Sequence, residues 1–355
     1  MRFGTFHLHS VPPWANSYDV IQQQFDQIVL ADRLGLDEVW LAEHSARTYG
    51  AVGNVITTAS AAAASTSRVR IGTAVTRLPL HHPLHLAEDL AYVDILSGGR
   101  LDWGVGKGYD PVEFGSYGVA FEEREERWQD TFETVLSIWR SGRTGAKSRF
   151  VDLEDAELFP PPLQRPTPPI YYMVSRSDSS VVWAAERLYP LVLGQGPSWD
   201  DVRHKLELYR TTALEAGHDE SEVTETLGRA WQLKQVYVAG TTKQAIEECR
   251  EGLMWYFDQK NNRIMFGYPA DPHPYEWYVS HRSVILGSPE KVLNDLGEYA
   301  EYTGMPNLMV WISCGGQPHA QVKTAMQRFA EEVVPGLRGV PAVRVDRRSA
   351  AGAGR

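Results

Sequence analysis

The chain carries only two cysteines, Cys249 and Cys314, in 355 residues. Two thiols so far apart exclude a disulfide framework and a multi-cysteine metal or iron–sulfur centre. No apolar run approaches the ~20 residues that a bilayer-spanning helix requires, so no membrane partner is expected. The opening stretch MRFGTFHLHS enters a strand pattern at once and has no signal-peptide core, which points to the cytoplasm. Lysine- or arginine-rich blocks are also missing. With 35 basic against 45 acidic residues the net charge is −10, and no nucleic-acid partner is expected. A GxSxG elbow, an HExxH pair and a glycine-rich fingerprint after the first strand are all absent. These absences count against serine hydrolases, zinc peptidases and an open dinucleotide-binding sheet.

What is present is rhythm. Short apolar strands alternate with amphipathic helices, the pattern of a parallel sheet with helical crossovers. Eight strands are predicted, near residues 2–8, 38–42, 69–75, 101–105, 170–174, 191–193, 233–239 and 307–312. Between them, Ser17 can cap a helix and Ser288-Pro289 opens another that Gly304 stops. Eight strand–helix units in a chain of this length predict an α/β fold, the (β/α)8 TIM barrel, as one domain over residues 1–338. The proline- and aromatic-rich stretch 259–286, after the seventh strand's helix, breaks the rhythm and reads as a mobile lid. Residues 339–355 lack periodicity and read as a disordered tail. The 11 tryptophans and 16 tyrosines fit either a packed core or a pocket for something flat and apolar.

In a barrel the chemistry sits at the C-terminal ends of the strands. The second strand ends in Ala42-Glu43-His44-Ser45, so His44 is either an acid–base group or a histidine satisfied by its neighbours. Small residues close the third strand, Gly72-Thr73-Ala74-Val75. They suit a large ligand near the backbone or close internal packing. After the fourth, Gly106-Lys107-Gly108-Tyr109 resembles an anion cradle, although glycines also end strands for conformational reasons. Following the fifth, Ser175 to Ser180 with Arg176 at a helix start is phosphate-binding chemistry or an ordinary helix cap. His81, His82 and His85 cluster, but Pro83 separates them and no acidic partner has ligand spacing; no metal site is read there.

These pieces together resemble the bacterial luciferase-like flavin monooxygenases, above all the α-subunit type. The carrying stretches are MRFGTFHLHSVPP, LGLDEVWLAEH, RIGTAVTRLPLHHPLHLAEDLAYVDILSGGR, GVGKGYDPVEFGSYG and WAAER; LGSPEKV and VVPGL extend a thinner match. The resemblance implies reduced FMN delivered by a separate reductase, reaction with O2 to a flavin C4a-peroxide, and oxygenation of an apolar substrate by Baeyer–Villiger insertion or hydroxylation. It places the supporting histidine on His44, with Glu113 at a position acidic in the family. A non-proline cis peptide falls on Ala74-Val75, and phosphate ligands fall on Lys107, Ser175, Arg176, Ser177, Ser179 and Ser180. Tyr109, Met173 and Gly194 would line the ring. Gly106 replaces a reactive cysteine and would leave extra room; Ser45 replaces a second histidine, and Lys107 an arginine. A homodimer is implied. The alternatives are hydride transfer with F420 on the same barrel, or a non-catalytic flavin-binding subunit.

Overall fold

In the computed structural model, which describes residues 1–174, 176–196, 198–259, 273–313 and 315–339, the eight apolar runs form parallel strands. They are β1 (Arg2–His7), β2 (Glu38–Leu41), β3 (Arg70–Thr73), β4 (Leu101–Gly106), β5 (Ile170–Val174), β6 (Leu191–Leu193), β7 (Trp231–Val238) and β8 (Asn307–Trp311). Each pairs with the next, and β8 pairs with β1, so the sheet closes on itself and the predicted barrel is present. Helices such as Ser17–Arg33, Val55–Ser65 and Pro83–Leu96 occupy the crossovers. The first of these is capped by Asn16, whose side chain accepts from the Asp19 N–H, one residue before the expected Ser17.

Alternation along the strands sorts the aromatics. Trp40 of β2 meets Tyr171 at 5.3 Å and Trp231 at 5.7 Å, edge to face, and the three form an apolar layer inside the barrel. Gly72 exists for this layer, since a Cβ there would lie 2.3 Å from the Trp40 ring. Trp103 of β4 packs against Phe132 and Trp139 of the helix Arg124–Ser141. Much of the aromatic wealth is therefore core.

The third predicted strand is interrupted. It ends at Thr73, the Ala74–Val75 peptide is cis, and Thr76–Arg77 resumes as a short strand beside β4. The stretch 259–286 also contains regular structure. Residues 260–272 lie outside the described residues, but Tyr275–Ser280 is a helix and Val284–Gly287 a strand parallel to β7. Tyr278 is fully buried and stacks on Phe257 with centroids 4.1 Å apart, so the helix Tyr275–Ser280 is anchored on the helix before the stretch. Of the expected tail, residues 340–355 lie outside the described residues. No described helix is long and apolar enough to cross a membrane.

Inside the barrel, Glu38 is fully buried and neither of its carboxylate oxygens has a hydrogen-bond partner among the described residues. The neighbouring Asp102 is bound twice by Arg70, at 2.6 Å and 2.6 Å. Burial, then the Asp102 charge, raises the Glu38 carboxyl well above its ordinary range. A carboxyl raised in the fold stabilises most below its ordinary value, and that contribution is lost as pH climbs towards the folded value. Glu38→Gln is therefore expected to melt higher than the parent at about pH 8, with the difference shrinking near pH 4. Melting curves across this range check it; a gap independent of pH would contradict it.

Candidate active site

A cavity of about 600 Å³ opens at the C-terminal ends of the strands. That lies within the ~300–1,000 Å³ of small-molecule and cofactor sites. Most of the predicted site residues line it together: His44, Ala74, Val75, Gly106, Lys107, Tyr109, Met173, Ser177, Ser179, Ser180 and Gly194. Glu113 lies behind this wall. Arg176 is exposed and does not line the cavity, and Ser175 lies outside the described residues. The turn after β5 thus brings its hydroxyls to the cavity while the Arg176 backbone carbonyl accepts from Lys205.

The imidazole is held by a buried ionic network. Glu113, on the short helix Pro111–Ser116, is fully buried; its Oε1 lies 2.8 Å from His44 Nδ1 and accepts from the Ser45 N–H at 3.1 Å. Its Oε2 lies 2.9 Å from Arg77 Nη1, an ionic contact rather than a straight hydrogen bond. Arg77 also donates from Nε to Glu43 Oε2 at 3.2 Å and from Nη2 to Ser45 Oγ at 2.8 Å. Glu43 in turn accepts from the Val55 N–H at a helix start and lies 3.0 Å from His81 Nε2. That contact ties His81 to the network. Burial works to raise both carboxyls, but their partners reverse it. His44 and Arg77 leave Glu113 below its usual value; His81 and Arg77 leave Glu43 at about 2. With Glu113 ionised, Nδ1 of His44 carries a proton, and Nε2, without a hydrogen bond to the described residues, is the nitrogen left for a ligand. Tyr49 and Tyr109 share a hydrogen bond of 3.1 Å beside this ring.

Across the cavity lies a cationic pole. Lys107 Nζ contacts Glu125 Oε1 at 2.6 Å, and Arg124, the first residue of its helix, lines the same end. Ser177, Ser179 and Ser180 stand at the start of the helix Asp178–Ala185, where free backbone N–H groups favour an anion. Sequence reasoning chose Arg176 as the second cation; the structure brings Arg124 instead. It also passed over Glu43, Arg77 and Tyr49. The only available signal was Glu43 beside His44.

Gly106 does not open the extra room that loss of a side chain implies. A Cβ there would lie 2.7 Å from Val75 Cγ2, so the branched Val75 fills that space.

The family description luciferase-like monooxygenase matches residues 1–305, and the chain belongs to that family, a class of flavin-dependent monooxygenase enzymes. It is 24% identical to the alkanal monooxygenase alpha chain of the Kryptophanaron alfredi symbiont, over 95% of this chain and 99% of the relative. It is 26% identical to the oxygenase component of the flavin-dependent trigonelline monooxygenase of Acinetobacter baylyi, over 99% and 98%. Among solved structures, it is similar to the monooxygenase RslO1 of Streptomyces bottropensis, with a TM-score of 0.82, 25% identity and coverage of 94% and 99%. An F420-dependent secondary alcohol dehydrogenase shares the fold at 16% identity and a TM-score of 0.73, over 95% and 99%.

Removing the central cation would leave two buried carboxylates facing each other. Arg77→Met is expected to cost about 3–5 kcal/mol in urea unfolding. Adding Glu43→Gln and Glu113→Gln should recover part of that loss; strictly additive losses would refute the network. The depressed Glu43 carboxyl stabilises the fold above its ordinary value, and that contribution is lost as pH falls through the folded one. Glu43→Gln should therefore be less stable than the parent at neutral pH. Denaturant titrations should show the gap closing as pH falls from 4.5 to about 2.

Proposed function

We propose that the chain is the oxygenase component of a two-component system. It would take reduced FMN from a separate flavin reductase and place one atom of O2 on an apolar organic substrate, by Baeyer–Villiger insertion or hydroxylation. The observation that carries this reading is one cavity with a cation-and-hydroxyl pole at β4–β5 and a carboxylate-tethered imidazole at β2. The residues present fit FMN. Lys107, Arg124 and the hydroxyls of Ser177, Ser179 and Ser180 would hold the phosphate, while the Ala74–Val75 backbone, Met173 and Gly194 offer a lining for the ring. When bound, reduced flavin supplies the two electrons that activate dioxygen. The protein positions and shields. Glu113 and Arg77 fix the His44 ring, and its Nε2 accepts or returns a proton inside the cavity. Phe6, Leu8 and Tyr256 exclude water from the opposite wall. Exposed Tyr92, Ile95 and Leu96 on the helix Pro83–Leu96 support a homodimer through that face.

The test is anaerobic titration with reduced FMN and with reduced F420, followed by admission of ¹⁸O2 over a panel of cyclic ketones. Binding of reduced FMN and one ¹⁸O atom in the product are expected. His44→Ala should keep FMN affinity and lose turnover on the order of 10²–10⁴-fold. Oxidation of reduced F420 without oxygen, or unchanged turnover in His44→Ala, would overturn the reading. Sedimentation of a Tyr92→Glu variant tests the dimer, which should dissociate to monomer.

A further inference from the structure

Resting on the reading of the cationic pole as a phosphate site, we propose that Lys205 is a positioning residue for that site. It turns the Asp178 carboxylate away from the cavity, so that the serine turn after β5 can take a dianionic phosphate monoester. The turn carries a charge of the wrong sign. Asp178 is the first residue of the helix Asp178–Ala185, between Ser177 and Ser179. The positive end of a helix draws a carboxylate as readily as a phosphate. Left to itself, this side chain would compete for the N–H groups that a phosphate uses and would repel the incoming charge. Yet Ser177, Ser179 and Ser180 line the cavity and Asp178 does not.

The next helix holds the carboxylate back. Lys205 lies on Trp199–Glu215, the crossover after β6, which is fixed by a reciprocal cap between Ser198 and Asp201 and by the buried Val202, Leu206 and Tyr209. Lys205 is only 5% exposed. Its ammonium donates to the Arg176 carbonyl at 2.9 Å and to Asp178 Oδ1 at 3.1 Å. A buried ammonium is tolerated where its donors are used, and here they are spent on this turn. His204, the preceding residue, meets the other oxygen, Oδ2, at 2.9 Å from the exposed side. These two partners keep the Asp178 carboxyl below its ordinary range. One carboxylate is thus gripped at both oxygens by the neighbouring helix, and the three serine hydroxyls are left to the cavity. Neither Lys205 nor His204 lines that cavity, so Lys205 acts through Asp178 and not as a ligand.

FMN and riboflavin differ by the phosphate alone, so the ratio of their dissociation constants isolates the pole. Both oxidised flavins are titrated into the full chain and followed by flavin fluorescence. The parent should prefer FMN by roughly 10²-fold. Lys205→Met should cut that preference about tenfold and leave riboflavin affinity within about twofold. Adding Asp178→Asn, which removes the released charge, should restore most of the preference. A generally loosened structure would weaken both flavins and would not be mended by a second substitution. Should Lys205→Met fail to fold, as judged by circular dichroism, Lys205→Gln, which keeps a donor for the Arg176 carbonyl, carries the same test. A Lys205 variant that keeps the parent's preference would overturn the proposal. So would a loss that Asp178→Asn does not mend, since Lys205 would then act by its own charge. Equal affinity of the parent for FMN and riboflavin would instead defeat the phosphate reading of the pole, and this proposal with it.

Discussion

One buried cation organises the cavity end of this barrel. Arg77 touches two carboxylates, Glu43 and Glu113, and the Ser45 hydroxyl, with only 2% of its side chain exposed. These partners come from the ends of β2 and β4, so Arg77 joins three successive strand ends. Isolated buried charges are prohibitively costly, and this cluster survives because nearly every oxygen has a donor. Its consequence for chemistry is indirect. With Glu113 kept ionised, His44 is oriented and its tautomer fixed, while Glu43 holds the start of the helix Val55–Ser65 and the His81 ring. The imidazole is thus a rigid fixture. On the proposed oxygenase reading, such a fixture would hold a proton in the cavity while the walls exclude water.

Around the same mouth the wall changes character by strand. Charge is concentrated from β2 to β5, and the rest of the lining is aromatic, aliphatic or amide. The division follows from the closed sheet, because each strand end contributes a few residues at a fixed angle around the axis. A long ligand with an anionic end and an uncharged end is oriented by such a wall before any specific hydrogen bond is made.

Much of this was legible in the sequence where the signal is local. Period-two apolar runs located all eight strands, and reading the residue after each strand found His44, Lys107 and the serine turn. Arg77 was illegible because its inward direction depends on the interruption after Thr73, which no hydrophobic pattern encodes. The strand Val284–Gly287 was hidden for another reason. Its four residues sit behind a window dominated by proline and aromatics, which reads as irregular chain. Arg124 was missed because nearness in sequence to the serines singles out Arg176, whereas the start of the helix Arg124–Ser141 is brought to the cavity only by the fold. Gly106 is instructive in the same way. Read alone it implies a void, yet its space belongs to Val75, a residue thirty-one positions earlier in the chain.

The cationic pole has a built-in occupant. Glu125 pairs with Lys107, and their side chains are 64% and 28% exposed. An ion pair this open contributes little, about 0–1 kcal/mol, so the carboxylate is easily displaced. On the proposed reading, a phosphate at the pole would bring more charge than Glu125 and would also meet Arg124, three hydroxyls and the start of a helix. The cost of removing the occupant is therefore small against what replaces it. Meanwhile the pair keeps Lys107 extended over Trp128, at 5.3 Å from its ring, pointing where an anion would be received. A strong resident pair would resist such a ligand and a bare lysine would wander; a weak, exposed partner does neither, which suits the proposed phosphate end.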